Sequence, residues 1–298
     1  MKNSGFRFAL IAVIGALTLN SCEGDSSIEN NTISDDVRDP NNALNTNFDG
    51  KIFSIPSPIQ TGYLIKGLNL SFDSKLGNDP KIVNTYVDEY NQSLNLGIYG
   101  ADLGYSALYD QKDITLNYLA SVQNLTDQLG LDAAFDTEFL KSFESETDDE
   151  KEMIRLMSEA FKKADHFLKN SNRKPTSALI LTGGWIESIY LACQLNAKNP
   201  NQKVKQRIGE QKQSIGTIIA ILEEYNQNSL HDNLISQLSD LALSFNKISI
   251  TYEFAAPETD VENKTTTLRH STEVQFNNEI VEEIKTKIEA IRLSIIKL

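Results

Sequence analysis

The chain predicts an all-α fold: a multi-helix antiparallel hairpin bundle of about nine or ten helices, with a short β-hairpin or extended excursion near 250–276. Three observations predict it. Apolar residues recur at three- and four-residue spacing through most of the chain beyond Pro56. Helix-start and helix-stop residues bracket those stripes. One stretch only, 250–276, alternates residue by residue and is rich in Thr, which with Val favours strands.

The elements follow in order. Ser57-Pro58 and Asp79-Pro80 each place a capping side chain before a proline, which suits the first helical position. Ile82, Val83, Tyr86, Val87, Tyr90 and Leu94 then form a helical stripe. Leu116, Leu119, Val122, Leu125 and Leu129 form the next, and Gly130 is placed to end it. Thr147-Asp148-Asp149-Glu150 reads as a capping box ahead of Met153, Ile154, Met157, Ala160, Phe161, Ala164, Phe167 and Leu168. A helix over 175–198 starts at Pro175 and stops before Pro200. Helices over 201–226 and 229–250 follow, carrying Ile208, Ile215, Ile218 and Leu222, then Leu234, Leu238, Leu241 and Phe245.

In 250–276, Tyr252-Glu253-Phe254 and Glu273-Val274-Gln275-Phe276 alternate, and Pro257 and Asn263 punctuate the stretch. The last helix carries Val281, Ile284, Ile288, Ile291 and Ile295. That spacing matches a coiled-coil seam, but it holds too few heptads to stand alone and predicts packing on the domain.

The N-terminus supplies an address. Lys2 and Arg7 precede an almost uninterrupted apolar stretch, Phe8–Leu19, which Leu19-Asn20-Ser21-Cys22 closes. The stretch suits a signal-peptide core and is too short to span a bilayer, which takes about 20 apolar residues. This order resembles the lipobox of bacterial lipoproteins. The resemblance implies cleavage before Cys22, a diacylglyceryl thioether on its sulfur and acylation of its amine; two or more acyl chains anchor stably where one does not. The organisation expected is a signal peptide over 1–21, a lipid-anchored disordered tether over 22–50 and a single helical domain over 51–298. The tether reading rests on the Asn, Asp, Ser and Thr that fill 23–50. The location expected is the cell envelope, on the periplasmic or surface face of the outer membrane. Glu23-Gly24-Asp25 is similar to export signals of surface lipoproteins in the Bacteroidota. Together with the lipobox and the long last helix, the segments 94–110 and 183–193 resemble uncharacterised, wholly helical lipoproteins of the same phylum. That resemblance implies a helical domain and brings no activity with it.

Forty-one acidic residues against 28 basic give a formal charge of −13. Losing Lys2 and Arg7 with residues 1–21 takes this to −15. An acidic chain repels phosphate backbones, so nucleic acid is not an expected partner, and anionic lipid would not hold it by charge. The expected partners are the membrane, through lipid at Cys22, and an envelope protein complex or a small ligand. Besides Cys22 only Cys193 could form a disulfide, and it lies among apolar residues, as a buried inert thiol does.

Two glycine-bearing helical segments break the local rules, since each helical glycine costs about 1 kcal/mol against alanine. In 96–109, Gly97, Ala101, Gly104 and Leu108 form a smooth side that admits a close neighbour. Tyr99, Asp102, Ser106 and Tyr109 form another side, with Tyr105 nearby. In 181–190, Gly183 and Gly184 lie one turn before Glu187, with Trp185 and Tyr190 beside it. A buried carboxylate needs a partner, for which Arg207, Lys212 or a tyrosine hydroxyl is available. The candidate residues are therefore Tyr99, Asp102, Tyr105, Tyr109, Trp185, Glu187, Tyr190 and Arg207, as a ligand site or as a polar core.

His166, His231 and His270 are scattered and form no zinc or di-iron motif. There is no nucleophile elbow, phosphate loop or dinucleotide fingerprint. No catalytic residue, metal or cofactor is therefore expected. The leading expectation is a non-enzymatic binding or accessory protein. The alternatives are an enzyme using carboxylates and tyrosines between helices, or a purely structural envelope element.

Overall fold

The structure is a computed structural model. It describes residues 43–48, 51–56, 71–135, 139, 141–142, 150–254, 256–260, 265–267 and 271–297, all within one compact unit, Ile33–Leu298. The expected signal peptide, Cys22 and the start of the tether lie outside the described residues. So do Ser57-Pro58 and the Thr147–Asp149 part of the capping box.

The fold is all-α. Seven α-helices have described bounds: α1 (Glu89–Leu108), α2 (Lys112–Gln128), α3 (Glu150–Asn170), α4 (Lys174–Lys198), α5 (Gln202–Glu224), α6 (Asp232–Asn246) and α7 (Asn278–Ile296). Helical residues at 139 and 141–142 belong to an eighth, and eight is slightly fewer than the nine or ten expected. One reason is local. Asp79 does cap a helical turn, but Pro80–Thr85 is a short 3-10 segment, and Tyr86 is extended. A new cap at Asp88, accepting from the Asn91 amide at 2.8 Å, starts α1. The stripe from Ile82 to Leu94 is thus two elements, and Val87, expected inside, is 81% exposed.

Other boundaries follow the capping chemistry. Gly130, at φ 62°, closes the turn after α2. Asp110 and Asn172 take left-handed conformations in the α1–α2 and α3–α4 connections, which their short polar side chains tolerate. Asn201 and Asn277 cap α5 and α7, accepting from the amides of Lys203 and Ile280.

Short 3-10 turns at Asp132–Ala134 and Gln227–Ser229 and six short strands are also described. β3 (Ser249–Glu253) pairs antiparallel with β6 (Ser271–Gln275), and β4 (Glu258–Asp260) with β5 (Thr265–Thr267) between them. The excursion expected over 250–276 is therefore a nested pair of antiparallel ladders. β1 (Ala43–Phe48) pairs with β2 (Lys51–Pro56), from Ala43 opposite Pro56 to Phe48 opposite Lys51. That corrects the tether expected to run to residue 50. The signal was present: Asp49-Gly50 between two β-forming runs is a strong hairpin dipeptide.

Two helices organise the interior. Seventeen of the 20 residues of α1 and 19 of the 25 of α4 are buried. A helix that is apolar around most of its surface belongs inside. α4 is long and apolar enough to cross a membrane by composition, yet 83% of its most apolar window is buried inside this domain. α1 and α4 cross at their glycines. A Cβ on Gly97 would overlap the Ile180 carbonyl, and one on Gly183 would overlap the Leu94 carbonyl. The smooth side of α1 thus receives the glycine pair of α4. On one side of this crossing Trp185, Ile186, Ile208, Leu238, Phe245, Ile284 and Ile288 form a core with α5, α6 and α7. On the other, Tyr99, Leu103, Leu119, Leu125, Leu156 and Met157 form a core with α2 and α3.

Candidate functional site

A polar cluster sits inside the crossing, where α1, α4 and α7 meet. Arg292 of α7 forks onto Glu187 of α4, Nε to Oε2 at 2.5 Å and Nη2 to Oε1 at 2.8 Å. Nη2 also donates to the Leu76 carbonyl at 3.0 Å. The guanidinium carbon lies 4.2 Å from the centre of the Tyr190 ring, a cation–π position. Asp102 of α1 accepts from the Asn78 amide at 2.9 Å through Oδ2. Glu187 and Asp102 are wholly buried, and Arg292 is 5% exposed.

The electrostatics follow from two carboxyls sharing one guanidinium. Burial, then the charge of Glu187 beside it, pushes the Asp102 carboxyl well above the usual carboxylate range; Arg292 and the Asn78 amide pull the other way and do not prevail. Burial alone would lower the Arg292 pKa, but the Glu187 carboxylate outweighs it and holds the guanidinium charged. The balanced arrangement is one ion pair and one neutral acid. Asp102 Oδ1 has no hydrogen-bond partner of its own, and burial beside the Glu187 carboxylate disfavours its charged form. As an acid it can donate its proton to Glu187. A dry ion pair is tolerated only with such geometry and with its remaining valences met.

The surroundings close the cluster. A Cβ on Gly77 would stand 3.1 Å from Asp102 Oδ1 and overlap the Tyr118 hydroxyl, so the 76–78 segment is pressed directly onto it. Tyr99 donates to the Asp79 carbonyl at 2.9 Å, and Tyr86 receives a hydrogen bond from Asn78 at 3.0 Å. Burial raises the Tyr99 and Tyr118 hydroxyls, which stay protonated donors.

The structure thus brings Asp102, Glu187 and Tyr190 of the expected residues together. The partner of Glu187 is corrected: it is Arg292, not Arg207 or Lys212. Arg207 meets Glu210 at 3.3 Å, and Lys212 donates to the Ile248 carbonyl at 2.6 Å. Trp185 points to α5, its Nε1 donating to Gln211 at 3.1 Å. Tyr105 accepts from the Asp73 amide at 2.8 Å, packs tilted against Phe72 and meets Tyr109 edge to face. Burial pushes the Tyr109 hydroxyl up to about 12, so it too stays protonated. Cys193 is free and buried, its thiol pushed up to about 12 by burial, as expected of an inert cysteine. Among the described residues no group of three or more His, Cys, Asp or Glu side chains could hold a metal ion.

A second place has the opposite character. Between α1, α2, α3 and the start of α4 lies a cavity of about 260 Å³. Its walls include Leu96, Leu103, Leu119, Met157, Phe161 and Ile180. Gly100 leaves the space that the Phe161 ring occupies; a Cβ there would lie 2.7 Å from the ring edge. Asp127 and Asp132 stand exposed at its edge. Apolar stripes on α2 and α3 announce a core, but nothing in their spacing announces that the core stays open.

No protein-family model, curated protein or solved structure matches the chain.

Proposed function

We propose that this is a lipid-anchored binding protein of the cell envelope, without catalytic activity of its own, which holds a small apolar ligand in the cavity between α1, α2, α3 and α4. The cavity carries this reading. Interiors normally pack to crystal density, and cavities of about 150 Å³ lined by such side chains take up benzene. A space of about 260 Å³ with an apolar wall has room for a ring bearing a short chain. The anchor rests on the Leu19–Cys22 lipobox resemblance. The closure of the polar cluster supports the non-enzymatic part, because a general acid or base must reach its substrate.

Ligand binding that favours the folded state raises thermal stability. 4-Phenylbutanol should raise the melting temperature of the full chain in a saturable way. Ala160→Leu, which fills the cavity from α3, should remove that shift while leaving the fold intact. An unchanged melting temperature in the unmodified chain would refute the reading.

A further inference from the structure

The cavity has a polar edge as well as an apolar wall, and its charge is lopsided. Asp127 lies in the last turn of α2, and Asp132 opens the 3-10 turn that follows. Both carboxylates are exposed, and neither has an ion pair among the described residues. The last turn of α2 carries no basic residue, so the partial negative charge of a helix C-terminus adds to that of Asp127 instead of being offset.

Two cations, on α3 and just before α4, are already engaged. Lys163 stands 4.8 Å from the centre of the Phe139 ring and pairs with Glu159 at 3.7 Å. Arg173 reaches the Leu129 carbonyl, but it pairs with Glu89 at 2.7 Å. The aromatic lining matters too. Phe135 and Phe139 lie nearly parallel, 5.6 Å apart, and Phe161 also lines the cavity. Aromatic rings and carboxylates that line one cavity form a setting in which organic cations are held.

We infer that the cavity takes an organic cation with an apolar body, an arylalkyl or alkyl ammonium, whose ring or chain lies among Leu103, Met157 and Phe161 and whose charge lies at Asp127 and Asp132. This inference rests on the binding reading and specifies the ligand's charge. An anion of the same size meets two carboxylates and the end of a helix dipole. A neutral molecule gains the apolar wall and nothing at the edge. The formal charge of the chain, −13, adds a long-range field of the same sign, which speeds the approach of cations.

The test is calorimetric titration of the full chain with three compounds of one shape: 4-phenylbutylammonium, 4-phenylbutanol and 4-phenylbutyrate. The ammonium compound should bind roughly tenfold more tightly than the alcohol, and the carboxylate most weakly, because one exposed ion pair and one cation–π contact together give about one power of ten. The preference should shrink in high salt. In Asp127→Asn/Asp132→Asn the three affinities should converge on that of the alcohol. That double variant alters exposed side chains only, so the alcohol reports whether the cavity survives. Equal binding of all three, or tightest binding of the carboxylate, would overturn the cation inference and leave the cavity reading standing. Binding of none would overturn both.

Discussion

Helix α1 has two faces that solve burial in opposite ways. On one, Asp102 is sealed against Glu187 and Arg292 with its neighbours pressed close. On the other, Gly100 and Leu103 border a cavity left open. The closed face is costly to build, since each charge must give up water, and it gains a unique register for three helices and the 76–78 segment. The open face forgoes packing that a few larger side chains would supply. On the proposed reading, the carboxylates that stand out in the sequence hold the fold, and the ordinary-looking apolar stripe borders the binding site.

The contrast can be broken at the closed face first. Arg292→Met leaves Glu187 buried without its cation and should lower unfolding stability by about 3–5 kcal/mol in urea titration. A loss below about 1 kcal/mol would mean that water reaches the cluster. The helix crossing comes next. Gly183→Ala drives a methyl into the Leu94 carbonyl and should cost about 1–3 kcal/mol. The same change at Gly216, where nothing lies within 4 Å, should instead stabilise by up to about 1 kcal/mol, since alanine is the better helix former. Equal responses would mean that the two helices do not touch where the glycines lie.

A subtler effect appears in pH. An unfolded aspartate titrates at about 3.9, and the folded Asp102 does so above that. Between the two values the folded chain binds more protons than the unfolded chain. The contribution of Asp102 to stability is therefore fully present below the unfolded value and is lost as pH rises through the folded one. Asp102→Asn keeps the Asn78 contact and removes this slope, so the variant should gain on the unmodified protein as pH rises from 4. Parallel curves would mean that Asp102 ionises normally. The smallest effect belongs to the open face. Ala160→Leu should raise stability by about 0.5–1 kcal/mol, and a loss would show that the space is already filled by its neighbours.

Much of the fold is legible in the sequence, because helices advertise themselves by period and cap. The glycine crossing was readable from Gly97 and Gly183, since a helical glycine is costly unless a neighbour needs the room. Asp102, Glu187 and Tyr190 stood out for the same reason. Their partner did not, although a signal existed. Arg292 lies four residues after Ile288 and three before Ile295, on the inward stripe of α7. A lone arginine among buried isoleucines must answer a buried acid, but its distance of 105 residues from Glu187 hides the pairing. The break between Thr85 and Glu89 was hidden by an apolar stripe that runs on across it, with Asp88 as the only mark. The cavity was hidden altogether, because spacing shows which side chains face inward and not whether they fill the space between them.

The most direct test of the contrast is a methyl NMR titration of the full chain with 4-phenylbutanol. Shifts confined to Leu103, Leu119 and Met157 around the cavity, with Ile186 and Ile189 beside Glu187 unmoved, are the predicted result. Shifts centred on Ile186 and Ile189 would place the ligand at the polar cluster and contradict the division of the molecule into a closed structural face and an open binding one.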